Sequence, residues 1–358
     1  MRIPNLDICG LFASIPIIQG GMGVGVSGSK LAAAVANEGG VGVIAGVDIG
    51  YNEFDFKKNT LLANMRALKS EIRKARLLAP NGIIGINLMV VMNNYSEMVR
   101  AAVEEGIDLI ISGAGLPLNL PELVKGFQTR IVPIVSSSKA AGIILKYWDS
   151  HYGRTADMVI VEGPEAGGHL GFSEEILKIE NKPSVIDIIK DVIKDVNPFK
   201  DKFNRNIPVI AAGGIYNGAD IAECLKAGAS GVQMATRFVA TNECDADIKF
   251  KEAYINAQKE DIGIIKSPVG MPGRALNNNF LKKVTEYGDD IKGCFQCMKG
   301  CNPKTAPYCI SAALINAVKG NVDEGLIFVG SNAYRIDKII PVKELIDGLK
   351  DETELALI

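Results

Sequence analysis

Several things are missing from this sequence, and each absence removes a class of function. No apolar stretch approaches the roughly 18 residues of a membrane-spanning helix, and Met1 to Gly10 has no basic flank followed by an apolar run. The expected location is therefore cytoplasmic, with no membrane partner. Charge of one sign is not clustered either: 39 basic and 41 acidic residues leave a net charge of −2. Without a basic stripe there is no electrostatic footprint for nucleic acid, so a small-molecule substrate is the expected partner. A G-x-S-x-G elbow, a Walker phosphate loop, and Ser-His-Asp or glycosidase motifs are absent, so hydrolysis is not indicated. There is no internal repeat and no low-complexity segment. Histidine is scarce, with two in 358 residues. Seven cysteines without a secretion signal point to thiols, metal or redox chemistry more than to a disulfide scaffold.

What is present is a regular alternation. Short apolar runs recur at Ile15 to Gln19, Val41 to Ala45, Ile83 to Leu88, Leu109 to Ser112, Ile131 to Val135, Met158 to Val161, Pro208 to Ala211 and Gly231 to Met234, making eight strand candidates. Between them, Ser29 to Glu38, Tyr95 to Glu105, Lys139 to Trp148, Val185 to Val196 and Ala219 to Ala227 carry helical spacing of apolar residues. Runs apolar at nearly every position suit parallel strands buried on both faces. Eight such units close most naturally into a (β/α)8 TIM barrel, with an open doubly wound sheet as the alternative. After Phe238 the alternation breaks: Asp245 to Glu260 reads as helix, Ser267 to Leu276 as loop, and Gly293 to Cys309 is cysteine-rich. Gly325 opens a stretch leading to a final helix, Val342 to Leu349, expected to rejoin the barrel. The expected organisation is a barrel from 1–240 and 325–358 with a smaller inserted domain, 241–324, mainly helix and loop.

In such barrels the active site lies at the C-terminal ends of the strands. Those ends are rich in glycine: Q-G-G-M-G at Gln19 to Gly23, A-A-G-G-I-Y-N-G with Gly213 and Gly214, and Q-M-A-T-R at Gln233 to Arg237. Glycines let backbone amides approach a ligand, and the last two loops occupy the positions where barrels commonly bind phosphate. Ordinary tight turns are the alternative. Asn217 is the candidate cap of the helix that follows Gly213 and Gly214. After the sixth strand comes E-G-P-E-A-G-G-H-L-G, Glu162 to Gly171, which holds His169. An imidazole can act as acid or base near neutral pH, and its place in a glycine-rich loop at the catalytic end makes His169 the candidate catalytic residue. His151, beside Tyr152 near a helix end, reads as structural.

With these segments in view, the chain resembles the nitronate monooxygenases, formerly called 2-nitropropane dioxygenases, and the related flavin-dependent enoyl-ACP reductases of the second type. The matching stretches are P-I-I-Q-G-G-M-G, G-I-N-L near Asn87, E-G-P-E-A-G-G-H, I-P-V-I-A-A-G-G-I and Q-M-A-T-R-F, in order over roughly the first 240 residues. The resemblance implies FMN. It implies Gly21, Met22 and Gly23 under the flavin ring, Asn87, Ser137, Glu162 and Gly167 along the isoalloxazine and ribityl chain, Gln233 nearby, and Gly213, Gly214, Ala235 and Thr236 at the phosphate. It implies that His169 lies near flavin N5 and serves as base for nitroalkanes, whereas nitronates are already carbanionic. Some monooxygenases carry a lysine where Ser137 aligns, and serine is closer to the reductases. The S-P-V-G-M-P-G-R-A-L stretch looks more like the monooxygenases, with Arg274 a candidate partner for an anionic substrate.

Cys294, Cys297, Cys301 and Cys309 form C-x2-C-x3-C-x7-C within 16 positions. That spacing is compatible with zinc or an iron-sulfur cluster and equally with free thiols or disulfides. Cys9, Cys224 and Cys244 are scattered and read as structural. Three functions are thus carried forward. They are oxidation of small alkyl nitronates, NAD(P)H-dependent enoyl reduction with acyl carrier protein as partner, and a flavin or metal-cluster module for electron transfer or sensing. A homodimer is compatible with any of them.

Overall fold

A computed structural model describes residues 2–291 and 293–358, with Met1 and Lys292 outside the described residues. The chain opens with a hairpin of β1 (Leu6–Ile8) and β2 (Leu11–Ala13). Then come β3 (Ile17–Gln19), β4 (Val41–Ala45), β5 (Ile83–Met89), β6 (Leu109–Gly113), β7 (Arg130–Val135) and β8 (Val159–Glu162). A two-residue strand, β9 (Gly168–His169), precedes β10 (Val209–Ala212) and β11 (Gly231–Met234). β12 (Ile262–Lys266) and β13 (Pro272–Leu276) complete the strands. The strands β3 to β8, β10 and β11 close into a parallel barrel of eight. All eight predicted strands are found in it, and the open-sheet alternative is excluded by closure of β11 on β3.

Both faces of the barrel strands are buried, which is why their sequences lack polar alternation. Ile18, Val41, Val43, Leu109, Ile111, Val132, Ile160 and Ile210 fill the interior. Leu6, Ile8 and Ala13 of the first hairpin pack into that same cluster and plug the end of the barrel opposite the strand C-termini. The alternate residues of the same strands, such as Ile17, Ile44, Ile86, Ile110 and Val161, pack outward under the helices. β3 and β4 share one registered pair, Ile18 with Val41. The buried Gln19 amide supplements it by accepting a hydrogen bond from the Val43 N–H at 3.0 Å.

The five predicted inter-strand helices are found, two of them longer than expected, whereas Asp245 to Glu260 is α-helical only over Ile248–Ile255 and the helix Thr60–Leu78 is not among those expected. The helix predicted to Val196 runs from Val185 to Phe203, straight through Pro198, because Val196 and Phe199 keep its apolar face in the core. Asn217 caps the helix Gly218–Lys226 in a capping box with Asp220, as expected from its position. The final helix, Val342–Ala356, returns to the barrel and packs on Gly218–Lys226 so closely that a Cβ on Gly218 would meet Glu352 Cβ at 2.3 Å.

The appendage departs from a helix-and-loop reading. Ser267 to Leu276, expected as loop, contains the whole of β13, which pairs antiparallel with β12 on one side and with β9 on the other. Its Gly and Pro residues suppress any local strand signal, and the pairing comes from partners distant in sequence. Behind this sheet, Phe280, Leu281, Val284, Tyr308, Ile310, Ala313 and Leu326 form a separate small core.

Candidate active site

A cavity of about 250 Å³ lies at the C-terminal end of the barrel. Gly21, Met22, Gly23, Asn87, Glu162, Gly167, His169, Gly213, Gly214, Gln233, Ala235 and Thr236 all line it. The structure therefore brings together twelve of the thirteen residues picked from sequence as catalytic or cofactor-binding. The exception is Ser137. It is not among the cavity's lining residues, and its hydroxyl caps the helix Ser138–Tyr152 by accepting from the Ala140 N–H at 3.2 Å.

The walls at the glycine positions are tight. A Cβ on Gly21 would lie 2.4 Å from Asn87 Cβ, and one on Gly23 would lie 2.1 Å from Val47 Cγ1. Gly213 and Gly214 both have left-handed backbone, with φ of +92° and +82°. Successive residues of this kind suit glycine and turn their amides outward as an anion-binding nest. Asn332 holds this turn by donating from Nδ2 to the Gly214 carbonyl at 2.7 Å. A Cβ on Gly167 would lie 2.6 Å from the Val329 backbone, so the segment returning to the barrel crosses directly over the β8 loop.

His169 is held from several sides. Its backbone sits in β9 opposite Gly273, its Nε2 lies 2.8 Å from Ser267 Oγ, and its ring meets Phe328 edge-on at 5.0 Å. Burial lowers its pKa to about 4, so the imidazole is neutral at pH 7. Glu162 ends β8 facing the cavity, and burial alone pushes its carboxyl up to about 7. Asp48 is buried on the opposite wall, raised to about 6 by desolvation against the opposing hydrogen bonds from Ser311 and Asn64. His151, by contrast, is exposed on the helix Ser138–Tyr152 and stacks on Tyr147 at 3.8 Å.

Sequence reasoning assigned Arg274 to the substrate, and the structure places it elsewhere. It is 5% exposed and donates from Nη1 to the carbonyls of Pro164, at 2.9 Å, and Ala166. Its Nη2 stands 3.8 Å from Glu165 Oε2. It is thus spent on fastening the His169 loop to β13. Ser267 was noticed only as part of a stretch; its contact with His169 spans 98 positions and leaves no local mark.

The metal centre that the spacing of the four clustered cysteines allowed is not supported by their arrangement. Among the described residues, no three His, Cys, Asp or Glu side chains stand where they could hold a metal ion. No disulfide joins them, and the four thiols lie near enough to perturb one another, Cys297 with Cys301 and Cys309, and Cys294 with Cys301 and Cys309. Cys294 is exposed and its Sγ accepts from the Gln296 N–H at 3.3 Å. Cys297 packs into the core beneath the appendage, and burial beside Asp48 pushes its thiol up to about 12. Cys301 packs against the main core, and Cys309 precedes the helix Ile310–Val318 as its N-cap residue.

The nitronate monooxygenase family model matches residues 8–352. This chain belongs to the nitronate monooxygenase family. A probable nitronate monooxygenase of Staphylococcus aureus is 30% identical over 305 residues, covering 77% of this chain and 79% of that protein. A (3aS,4S,5R,7aS)-5-hydroxy-7a-methyl-1-oxo-octahydro-1H-indene-4-carboxyl-CoA dehydrogenase of Rhodococcus jostii is 27% identical over 364 residues, covering 93% and 91%. The structure of FabK from Thermotoga maritima has a TM-score of 0.74 and 30% identity, covering 96% of this chain and 94% of that one. Membership makes the protein an oxidoreductase of a flavin-dependent family. The cavity fits such a cofactor. It has close-approach glycines on one wall, a two-glycine amide nest suited to a phosphate, and a Glu162 carboxyl on which no hydrogen bond among the described residues ends.

Proposed function

We propose that the protein is an FMN-dependent oxidoreductase of the nitronate monooxygenase type that oxidises small alkyl nitronates, with 1–240 and 325–358 as the cofactor-binding barrel and 241–324 as the substrate domain. In this reading Gly21, Met22 and Gly23 face the flavin ring. Asn87, Glu162, Gly167 and Gln233 serve its polar edge and ribityl chain, and Gly213, Gly214, Ala235 and Thr236 hold its phosphate. FMN bound there would supply the two-electron carrier.

The observation that carries the nitronate assignment is the neutral imidazole of His169, buried against Ser267 and Phe328 at the cavity wall. A base works best when its pKa lies near the operating pH. A histidine held near 4 is therefore poorly matched to removing a proton from a neutral nitroalkane. A nitronate arrives already deprotonated and asks of His169 only a hydrogen bond to its developing neutral product.

A second reading is NAD(P)H-dependent reduction of an enoyl thioester, delivered on acyl carrier protein. It is favoured by the likeness to FabK over 96% of the chain and by serine, not lysine, at position 137. The deciding experiment is anaerobic bleaching of the FMN-reconstituted enzyme followed by absorbance, with propyl-1-nitronate, NADH and NADPH added separately. Rapid bleaching by the nitronate alone is expected. Bleaching by a pyridine nucleotide alone moves the assignment to the reductase, and failure to retain FMN overturns both.

A further inference from the structure

The appendage contributes Phe250, Met298, Ile310 and Leu314 to the cavity, and the segment returning to the barrel adds Leu326 and Phe328. The polar groups on the same side are already paired within the protein. The Ser311 hydroxyl donates to Asp48, and the Tyr254 hydroxyl donates to the Phe328 carbonyl. Among the described lining residues there is no lysine or arginine, and the carboxyl groups are Asp48, Glu162 and Glu165. The Arg274 guanidinium beside the His169 loop is occupied by the carbonyls of Pro164 and Ala166. A substrate carboxylate entering this end would lose its hydration and find no lysine or arginine among the described lining residues to compensate.

We infer that the substrate-binding end of this cavity selects an uncharged, apolar alkyl or acyl body and rejects substrates that carry a second anionic group beyond the reacting carbon. This rests on the oxidoreductase reading above and narrows its substrate. A nitronate with a linear hydrocarbon tail fits, and propionate 3-nitronate, with its carboxylate, does not.

The test separates binding from turnover. Redox-inert primary amides, from acetamide to hexanamide, are titrated into the FMN holoenzyme and followed by the change in flavin absorbance, with succinamate as the charged comparison. Each added methylene should tighten binding by about fourfold, the transfer value for a buried CH2, and succinamate should bind at least about tenfold more weakly than butanamide. Leu314→Ala should flatten the series. Leu314→Arg should weaken hexanamide and improve succinamate, with FMN retention and an unchanged melting curve reporting that each variant is folded. A flat series in the native protein, or succinamate binding as well as butanamide, overturns the inference. Hexyl-1-nitronate and propionate 3-nitronate are then compared as substrates. If the amides show the chain-length slope and neither nitronate turns over, the apolar site stands and the nitronate reading fails. If propionate 3-nitronate is the better substrate, the nitronate reading stands and the apolar site fails.

Discussion

Replacing Arg274 by Met tests whether a buried cation at this site serves the substrate or the fold. The guanidinium donates to Pro164 and Ala166, two carbonyls of the loop that ends in His169, and stands 3.8 Å from Glu165. Hydrogen bonds involving a charged group contribute about 1.5–3 kcal/mol each, and a carbonyl left unpaired in the interior costs about 1–3 kcal/mol. Methionine recovers part of the packing, so the expected net loss is about 3 kcal/mol. For a chain of this size that lowers Tm by roughly 4 °C. The loop then keeps only its backbone pairing to β13, and a displacement of about 1 Å at a reacting group can cost on the order of 100-fold in rate. The expected pattern is a large fall in kcat, a small change in KM and a lower Tm. Arg274→Lys should be intermediate, since an ammonium lacks the planar fork. Thermal melts followed by circular dichroism, together with steady-state kinetics on the same preparations, read all three quantities. A variant that melts like the native protein and keeps its kcat while KM rises tenfold or more would refute this argument and return Arg274 to the substrate.

Four further outcomes are expected. The pKa of His169 falls from its ordinary 6.5 to about 4 in the folded protein, so folding favours the neutral ring. The resulting stability is complete above pH 6.5 and is lost as pH falls toward 4, by at most about 3 kcal/mol. Urea melts at pH 5 and 7.5 should differ more for the native protein than for His169→Gln, and equal differences would remove the buried-imidazole account. Ser267→Ala should lower kcat by about fivefold, the value of one hydrogen bond, while leaving the FMN dissociation constant unchanged; a fluorescence titration that shows flavin loss instead would contradict a role confined to His169. Gly213→Ala places a side chain at φ +92° and should weaken FMN binding by tenfold or more, with folding retained on circular dichroism; unaltered affinity would remove Gly213 from the phosphate site. With a thiol reagent on the native protein, Cys294 should react first and Cys224 and Cys244 last, because the first is exposed and burial pushes the others up to about 12 and about 11. Stoichiometric zinc or iron in the purified protein would contradict this reading of the thiols as free.

Local chemistry was enough for much of this protein. Apolar runs such as Val41–Ala45 and Leu109–Gly113 must be hidden on both faces, and eight of them separated by amphipathic helices leave few architectures open. Glycines at strand ends and a lone histidine among them marked the cavity in the same way, because each residue's special conformation or proton chemistry belongs to it wherever the chain goes. The rest depended on residues that meet only after folding. β13 is a strand because β12 and β9 pair with it, and its own Pro-Gly-Arg-Ala-Leu sequence carries little strand preference. Arg274 and Ser137 have side chains suited to ligands, and both are spent on backbone groups that the fold brings within reach. Four cysteines at metal-like spacing differ in burial, Cys294 exposed and Cys297 packed into the small core, and that too was set by packing. Sequence spacing constrains which groups lie near one another along the chain; which atoms they finally touch is decided by tertiary packing, where contacts span a hundred residues and a buried polar group must take the partner it is given.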